Sequence, residues 1–230
     1  MNTQVSYQLD NGIAIVQINN GKVNALSPEV IQQLGSALDR AEADKAVVIL
    51  TGQPGILSGG YDLKVMMSGP QNALDLVAQG SALTRRMLAH PYPVIVACSG
   101  HAVAKGAFLM LAADYRIAID GEFKIGLNEV QIGMTMHDAG IILARDRLTP
   151  AAFQRSVINA EMFSPEEARV AGFVDRVVPA EQLLESAMAI AEQFKQLNMP
   201  AHAKTKLKVR AGLLAALDAA IEHDRVHGLG

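Results

Sequence analysis

A single carboxylate, Glu129, lies in the run Ile125-Gly126-Leu127-Asn128-Glu129-Val130-Gln131-Ile132-Gly133, between apolar residues and glycines. A carboxyl group desolvated by Leu127, Val130 and Ile132 titrates nearer neutrality, where it can both take a proton and return it. Glu129 is therefore a candidate catalytic base, although alone it would read as a solvated loop glutamate. Two glycine-containing segments supply what a base beside a carbonyl needs. Leu57-Ser58-Gly59-Gly60-Tyr61-Asp62-Leu63-Lys64 follows the apolar run Val47 to Thr51, and Ser99-Gly100-His101-Ala102-Val103-Ala104-Lys105-Gly106 follows Val94 to Cys98. Each is expected to lead into a helix. Exposed N–H groups at helix starts donate to a developing oxyanion, and two that converge stabilise an enolate or a tetrahedral intermediate. Taken singly, either segment reads as a turn, and neither carries a G-x-G-x-x-G or phosphate-loop pattern.

His137 and Asp138 are a second pair with chemical potential, as an accessory acid–base pair or a water-binding group. The plainer reading, favoured here, is that Asp138 caps a helix beginning at Ala139 and His137 flanks it. The lone cysteine, Cys98, sits in Val94-Ile95-Val96-Ala97-Cys98 and reads as a small core residue rather than a nucleophile. His90, before Pro91, carries little signal. No His, Cys or carboxylate cluster has metal-ligand spacing, and no metal is expected.

The elements that must position these groups follow from periodicity and turn chemistry. Val5 to Leu9 and Ile13 to Ile18 flank Asp10-Asn11-Gly12 as a hairpin. Ser27-Pro28-Glu29 starts a helix running to about Ala43, with Val30, Leu34, Leu38 and Ala41 on one face. Val47 to Leu50, Val94 to Cys98 and Tyr115 to Ile119 read as buried strands, alternating with helices over about 72–89 and 104–113. From Ala139 onward the pattern is mostly helical. Ser164-Pro165-Glu166-Glu167 caps a helix that stops at Gly172, and Ala180 to Leu197 is apolar at intervals of three and four. The alternation predicts an α/β fold.

With 230 residues the chain is long enough for one large core. Asn198-Met199-Pro200 is the best break, giving a core with trailing helices over 1–197 and a short C-terminal helical segment over 198–230. Half of the residues are hydrophobic and 19% are charged, an excess of apolar surface that suits a subunit interface. A net charge of -3 gives no reason to expect nucleic acid or an anionic membrane as partner. The single cysteine, the absence of a signal-like start and of a long apolar stretch fit a soluble cytoplasmic protein.

Asn24-Ala25-Leu26-Ser27, the Leu57 to Leu63 segment, Gly100-His101-Ala102 through Asp114-Tyr115-Arg116-Ile117, Ile125 to Glu129, and Ser164 to Ala168 through Gly172-Phe173-Val174-Asp175 occur in the order seen in the crotonase superfamily. Over roughly residues 5–210 the chain resembles an enoyl-CoA hydratase/isomerase. The resemblance implies a crotonase-like spiral of ββα units with a helical C-terminal part. It also implies homotrimers or dimers of trimers and an acyl-CoA thioester as substrate. No permanently bound cofactor is implied, CoA entering as part of the substrate. The oxyanion donors would be the backbone N–H groups of Tyr61 and Lys105. Gly59, Gly60, Asp62 and Leu63 would receive the adenine end of CoA, Ala25 and Leu26 would line the bent ligand, and Lys22, Lys64 and Lys206 would lie near its phosphates.

Departures from the family pattern narrow the reaction. Hydratases of the family use two glutamates on one water, and the first of these positions is Phe108 here. One base suffices to move a double bond, and the Gly126-Leu127-Asn128-Glu129 wording resembles the single-glutamate isomerases. The reading favoured is a Δ3,Δ2-enoyl-CoA isomerase. The alternatives are an enoyl-CoA hydratase, a thioester hydrolase using His137 and Asp138, and a non-catalytic CoA-thioester-binding scaffold. Lys105 stands where the family usually has glycine, so a strained backbone is expected there. The chain stops about where many members begin their last helices, so the acyl pocket and trimer packing are expected to differ.

Overall fold

The structure, a computed structural model, describes residues 3–229. Asn11 and Gly12 both take positive φ, 46° and 77°, the combination a two-residue hairpin turn of matching twist demands. They join β1 (Val5–Asp10) to β2 (Ile13–Ile18) as an antiparallel pair. Parallel pairing then adds β3 (Val47–Thr51), β5 (Val94–Cys98), β7 (Tyr115–Ile119) and β10 (Arg176–Val178), in the order β1-β2-β3-β5-β7-β10. Of these, β3, β5 and β7 are buried on both faces, whereas β10 begins at the exposed Arg176. Val16, Val48, Leu50 and Val96 face one core with α1 (Pro28–Ala43) and α3 (Pro70–Ala89). Ile13, Ile49, Ile95 and Ile117 face a second core with Ala187 and Ala191 of α8 (Leu183–Lys195).

A second sheet, in the order β4-β6-β8-β9, lies in segments that the sequence presents as turns. Its strands are β4 (Gly55–Ser58), β6 (Gly100–Val103), β8 (Ile125–Gly126) and β9 (Met162–Phe163). Strands of two to four residues, three of them containing glycine, are too short to show a period-two signal. Their pairing depends on glycine, because a Cβ on Gly100 would stand 2.0 Å from the Gly55 carbonyl oxygen. Successive passes of the chain thus give one strand to each sheet, β3 with β4, β5 with β6 and β7 with β8, which is the expected spiral.

The helices α2 (Leu63–Met66) and α4 (Lys105–Leu111) follow β4 and β6. Next come α5 (Asp138–Arg147), α6 (Pro150–Val157) and α7 (Pro165–Ala171). α7 carries a reciprocal Ser164–Glu167 cap and ends at Gly172 with φ 102°, as its sequence demands. α8 is shorter than its apolar periodicity, since Ala180–Gln182 forms a 3-10 turn after Pro179. Asn198 caps α9 (Met199–Val209), accepting from the Ala201 N–H at 3.0 Å, and α10 (Ala211–His227) packs across α3 and α5. Among the described residues no helix is long and apolar enough to cross a membrane.

Candidate active site

The two glycine segments come together. In the first, Gly60 C=O accepts from Leu26 N–H at 2.8 Å and Asp62 N–H donates to Leu26 C=O at 3.1 Å. Backbone groups alternate in direction along an extended chain, so the Tyr61 N–H between them points away from Leu26. In the second, Ala104 N–H is tied to Gly126 C=O at 2.9 Å, and Lys105 opens α4, where a first-turn N–H has no intrahelical acceptor. Neither the Tyr61 nor the Lys105 N–H has a protein acceptor among the described residues. The segments touch: a Cβ on Gly60 would lie 3.1 Å from Ala104 Cβ and 3.7 Å from Lys105 N. Gly106 sets the approach of α4 to β4, since a Cβ there would meet Ser58 O at 2.3 Å.

Lys105 itself is helical, contrary to the strain expected at that residue. The strain falls one residue earlier, at Ala104, with φ 50° and ψ -120°. Such a conformation costs a non-glycine residue about 1–3 kcal/mol, more than the roughly 0.5–1 kcal/mol of chain entropy that a glycine adds. Ala104→Gly is therefore expected to raise the melting temperature, which thermal denaturation checks; a fall would mean that the Ala104 methyl packing outweighs the strain.

Glu129 begins the 3-10 turn Val130–Ile132, which Gly133 closes with φ 81°. Its carbonyl accepts from Met134 N–H at 2.9 Å, fixing the side chain's origin. Glu129 is 7% exposed, and its Oε2 is buried with no hydrogen-bond partner among the described residues. Burial pushes its pKa up to about 7, opposed by its own backbone N–H and by the Lys105 charge. Of the neighbours expected to desolvate it only Leu127 is buried. Val130 and Ile132 are about half exposed, Ile132 lining the cavity beside Glu129 while Val130 does not. That cavity, of about 160 Å³, is lined by Tyr61, Met66, Val77, Ala104, Glu129 and His137, among others.

A pair of backbone donors with no protein acceptor, a buried unpartnered carboxylate and a largely apolar cavity suit proton transfer beside a carbonyl. The sequence model of the enoyl-CoA hydratase/isomerase family matches residues 8–227. The chain belongs to that family. A solved enoyl-CoA hydratase/isomerase family protein from Pseudomonas syringae is 68% identical with a TM-score of 0.97, 97% of each chain being covered. Human mitochondrial enoyl-CoA delta isomerase 1 is 30% identical over 213 residues, which are 90% of this chain and 70% of that one. The structure of an enoyl-CoA hydratase from Mycobacterium ulcerans is 40% identical with a TM-score of 0.91, covering 95% of this chain and 96% of its own. The relatives thus carry both activities in their names, and the site residues must be read for themselves.

Phe108 on α4, where the family resemblance implies the first glutamate of the hydratases, is fully buried, and its ring meets the His137 ring edge-on at 5.5 Å. Gly140 leaves room for both, as a Cβ there would lie 2.7 Å from His137 Cε1 and 2.9 Å from Phe108 Cζ. Burial, with the Lys105 charge, pushes the His137 pKa down to about 3, so the imidazole is neutral. Asp138 does not join it. Its carboxylate pairs with His223 Nδ1 at 2.8 Å, and α5 is capped not by Asp138 but by Asp224 of α10, which accepts from the Asp138 and Ala139 N–H groups at 2.9 and 3.1 Å. A cap supplied from 85 residues away leaves no local sequence signal.

Of the other expected contacts, Gly59 and Leu63 line the cavity, and Asp62 caps α2 by accepting from Lys64 N–H at 2.8 Å. Lys22 and Lys64 are exposed and Ala25 is half-buried. Leu26 is fully buried in the main core and does not line the cavity. Lys206 is displaced from the phosphate role: its ammonium donates to His90 O, Tyr92 O and Asp114 Oδ2 at 2.8, 3.2 and 2.6 Å, pinning α9 to the end of α3. Cys98 is buried, and burial pushes its thiol up to about 12, leaving it inert as a nucleophile. Missed from sequence is Thr84 on α3, whose Oγ1 accepts from Lys105 Nζ at 3.2 Å.

Proposed function

We propose that the protein is a Δ3,Δ2-enoyl-CoA isomerase in which Glu129 shuttles one proton. The thioester oxygen of a 3-enoyl-CoA accepts from the Tyr61 and Lys105 N–H groups. Glu129 removes a proton from C2, the electrons spread into a dienolate held by those donors, and the glutamic acid returns the proton at C4 as the double bond moves to C2–C3. Atoms balance with no water consumed. The observation that carries the reading is Glu129 as the one carboxylate lining the cavity among the described residues, with Phe108 closing the second acid's position. A phenyl ring can neither activate water nor protonate, and general acid–base partners contribute about 10²–10⁴-fold each.

Hydrolysis through His137 and Asp138 finds no support, because Asp138 is turned to His223. The Gly59 to Leu63 segment, Ala25 and the exposed Lys22 and Lys64 are proposed to receive the CoA moiety, with cytoplasmic homotrimers or dimers of trimers as the working form. Assaying 3-enoyl-CoA and 2-enoyl-CoA substrates side by side tests the reading. Isomerisation of the first with little hydration of the second is expected; rapid formation of a 3-hydroxyacyl-CoA without isomerisation would refute it.

A further inference from the structure

The last turn of α10 carries chemistry that the reaction at Glu129 does not use. His223 and His227 stand four residues apart on that helix, an interval that brings two side chains to one face, and both are exposed. Their rings are stacked, with centroids 4.2 Å apart and 24° between the planes. Two histidines at this helical spacing form a chelate for a divalent transition metal, for which imidazole is a preferred ligand. Nitrogens held about 2.0–2.1 Å from a tetrahedral metal lie about 3.3 Å from each other. Two rings already in contact need only a modest tilt to supply them.

The hydrogen bonds fix which nitrogens are offered. His223 Nδ1 lies 2.8 Å from Asp138 Oδ2, and His227 Nδ1 lies 3.2 Å from His223 O. An ionised carboxylate and a carbonyl oxygen can only accept, so each Nδ1 carries a proton and each neutral ring keeps its lone pair on Nε2. Neither Nε2 has a hydrogen-bond partner among the described residues. A carboxylate or carbonyl behind the ring is the usual support of a metal-bound imidazole, setting its tautomer and orientation. The surrounding charge suits a cation as well. Asp138 and Asp224 each place a carboxylate oxygen within 4.8 Å of a His223 ring nitrogen, and Arg225 is paired with Glu222 at 2.8 Å. The end of α10 adds the negative pole of the helix dipole.

We propose that His223 and His227 form a binding site for a divalent transition metal ion, zinc or copper(II) by ligand type, coordinated through the two Nε2 atoms while Asp138 orients His223 from behind. Asp224 is not a ligand, because both its oxygens accept from N–H groups at the head of α5. Water completes the coordination. Through Asp138 the ion clasps the last turn of α10 to the start of α5, beside the cavity that His137 and Leu229 line. No metal was expected from the sequence, since the histidine pair gains its supporting carboxylate only when a distant segment folds against it.

Isothermal titration of the untagged, metal-stripped full chain with zinc chloride tests the site. One zinc ion per chain is expected to bind, and His223→Ala and His227→Ala are each expected to abolish that binding. Both side chains are exposed, so neither substitution touches the core. Asp138→Asn is expected to weaken the site by about 10–100-fold, the usual effect of losing a supporting carboxylate. Zinc chloride should also raise the melting temperature of the wild type but not of the double histidine variant. The absence of saturable binding, or its survival in the double variant, would overturn the proposal. Loss in His223→Ala but not in His227→Ala would overturn the histidine pair and move the ion toward Asp138 and Asp224, and an unchanged affinity in Asp138→Asn would overturn the supporting role of that carboxylate.

Discussion

Glu129→Gln is expected to lower kcat on a 3-enoyl-CoA by about 10²–10⁴-fold, the usual contribution of a positioned acid–base group, while acyl-CoA binding persists. The amide keeps the shape of the carboxyl group but cannot carry a proton between C2 and C4. The burial that makes Glu129 a poised base also fixes the sign of the pH dependence. Its pKa is raised to about 7, so kcat/KM of the wild type is expected to rise as pH increases through about 7 and to level off above it. Turnover near the wild-type rate in the variant would remove Glu129 from the mechanism.

Gly106→Ala is the second large effect expected. An added Cβ would stand 2.3 Å from Ser58 O and 3.0 Å from Ser58 Cβ, so α4 must back away from β4. Every residue of α4 is buried, which leaves the helix no free direction in which to move. Overpacking of this kind costs about 1–3 kcal/mol of stability. The larger consequence is catalytic, because the Lys105 N–H rides on the displaced helix. Loss of one oxyanion donor costs about 10²–10³-fold in kcat. Urea denaturation and kinetics on the same preparation separate the two effects, and a folded variant with unchanged kcat would show that another contact sets the donor's position.

The large sheet was legible because its strands are unbroken apolar runs with β-branched residues, and α1 and α7 were legible because Ser27-Pro28 and Ser164-Pro165 with Glu167 declare their starts. The second sheet was not. Its strands are short, and their pairing depends on the missing side chains of Gly55 and Gly100, a relation between distant residues. The burial of Glu129 was legible for a partly mistaken reason. Ile132 lines the cavity with Glu129 as expected of a neighbour, but it is about half exposed, and Val130, also about half exposed, does not line the cavity. The strain expected at Lys105 sits at Ala104, because the helix begins at Lys105 itself and the turn that precedes it takes the unusual φ. Lys105 with Thr84, and Asp224 at the head of α5, join residues 21 and 85 or more positions apart, and periodicity carries no trace of such contacts.

The proton shuttle is tested most directly by following a label. A 3-enoyl-CoA deuterated at both C2 positions, converted in ordinary water, should yield 2-enoyl-CoA with deuterium at C4 in the earliest turnovers, since Glu129 is enclosed and receives the deuteron from the same molecule. Glu129→Gln should yield no such transfer. A 2-enoyl product whose C4 carries only solvent protium from the first turnovers would contradict the single-glutamate shuttle, because a different group would then be supplying that proton.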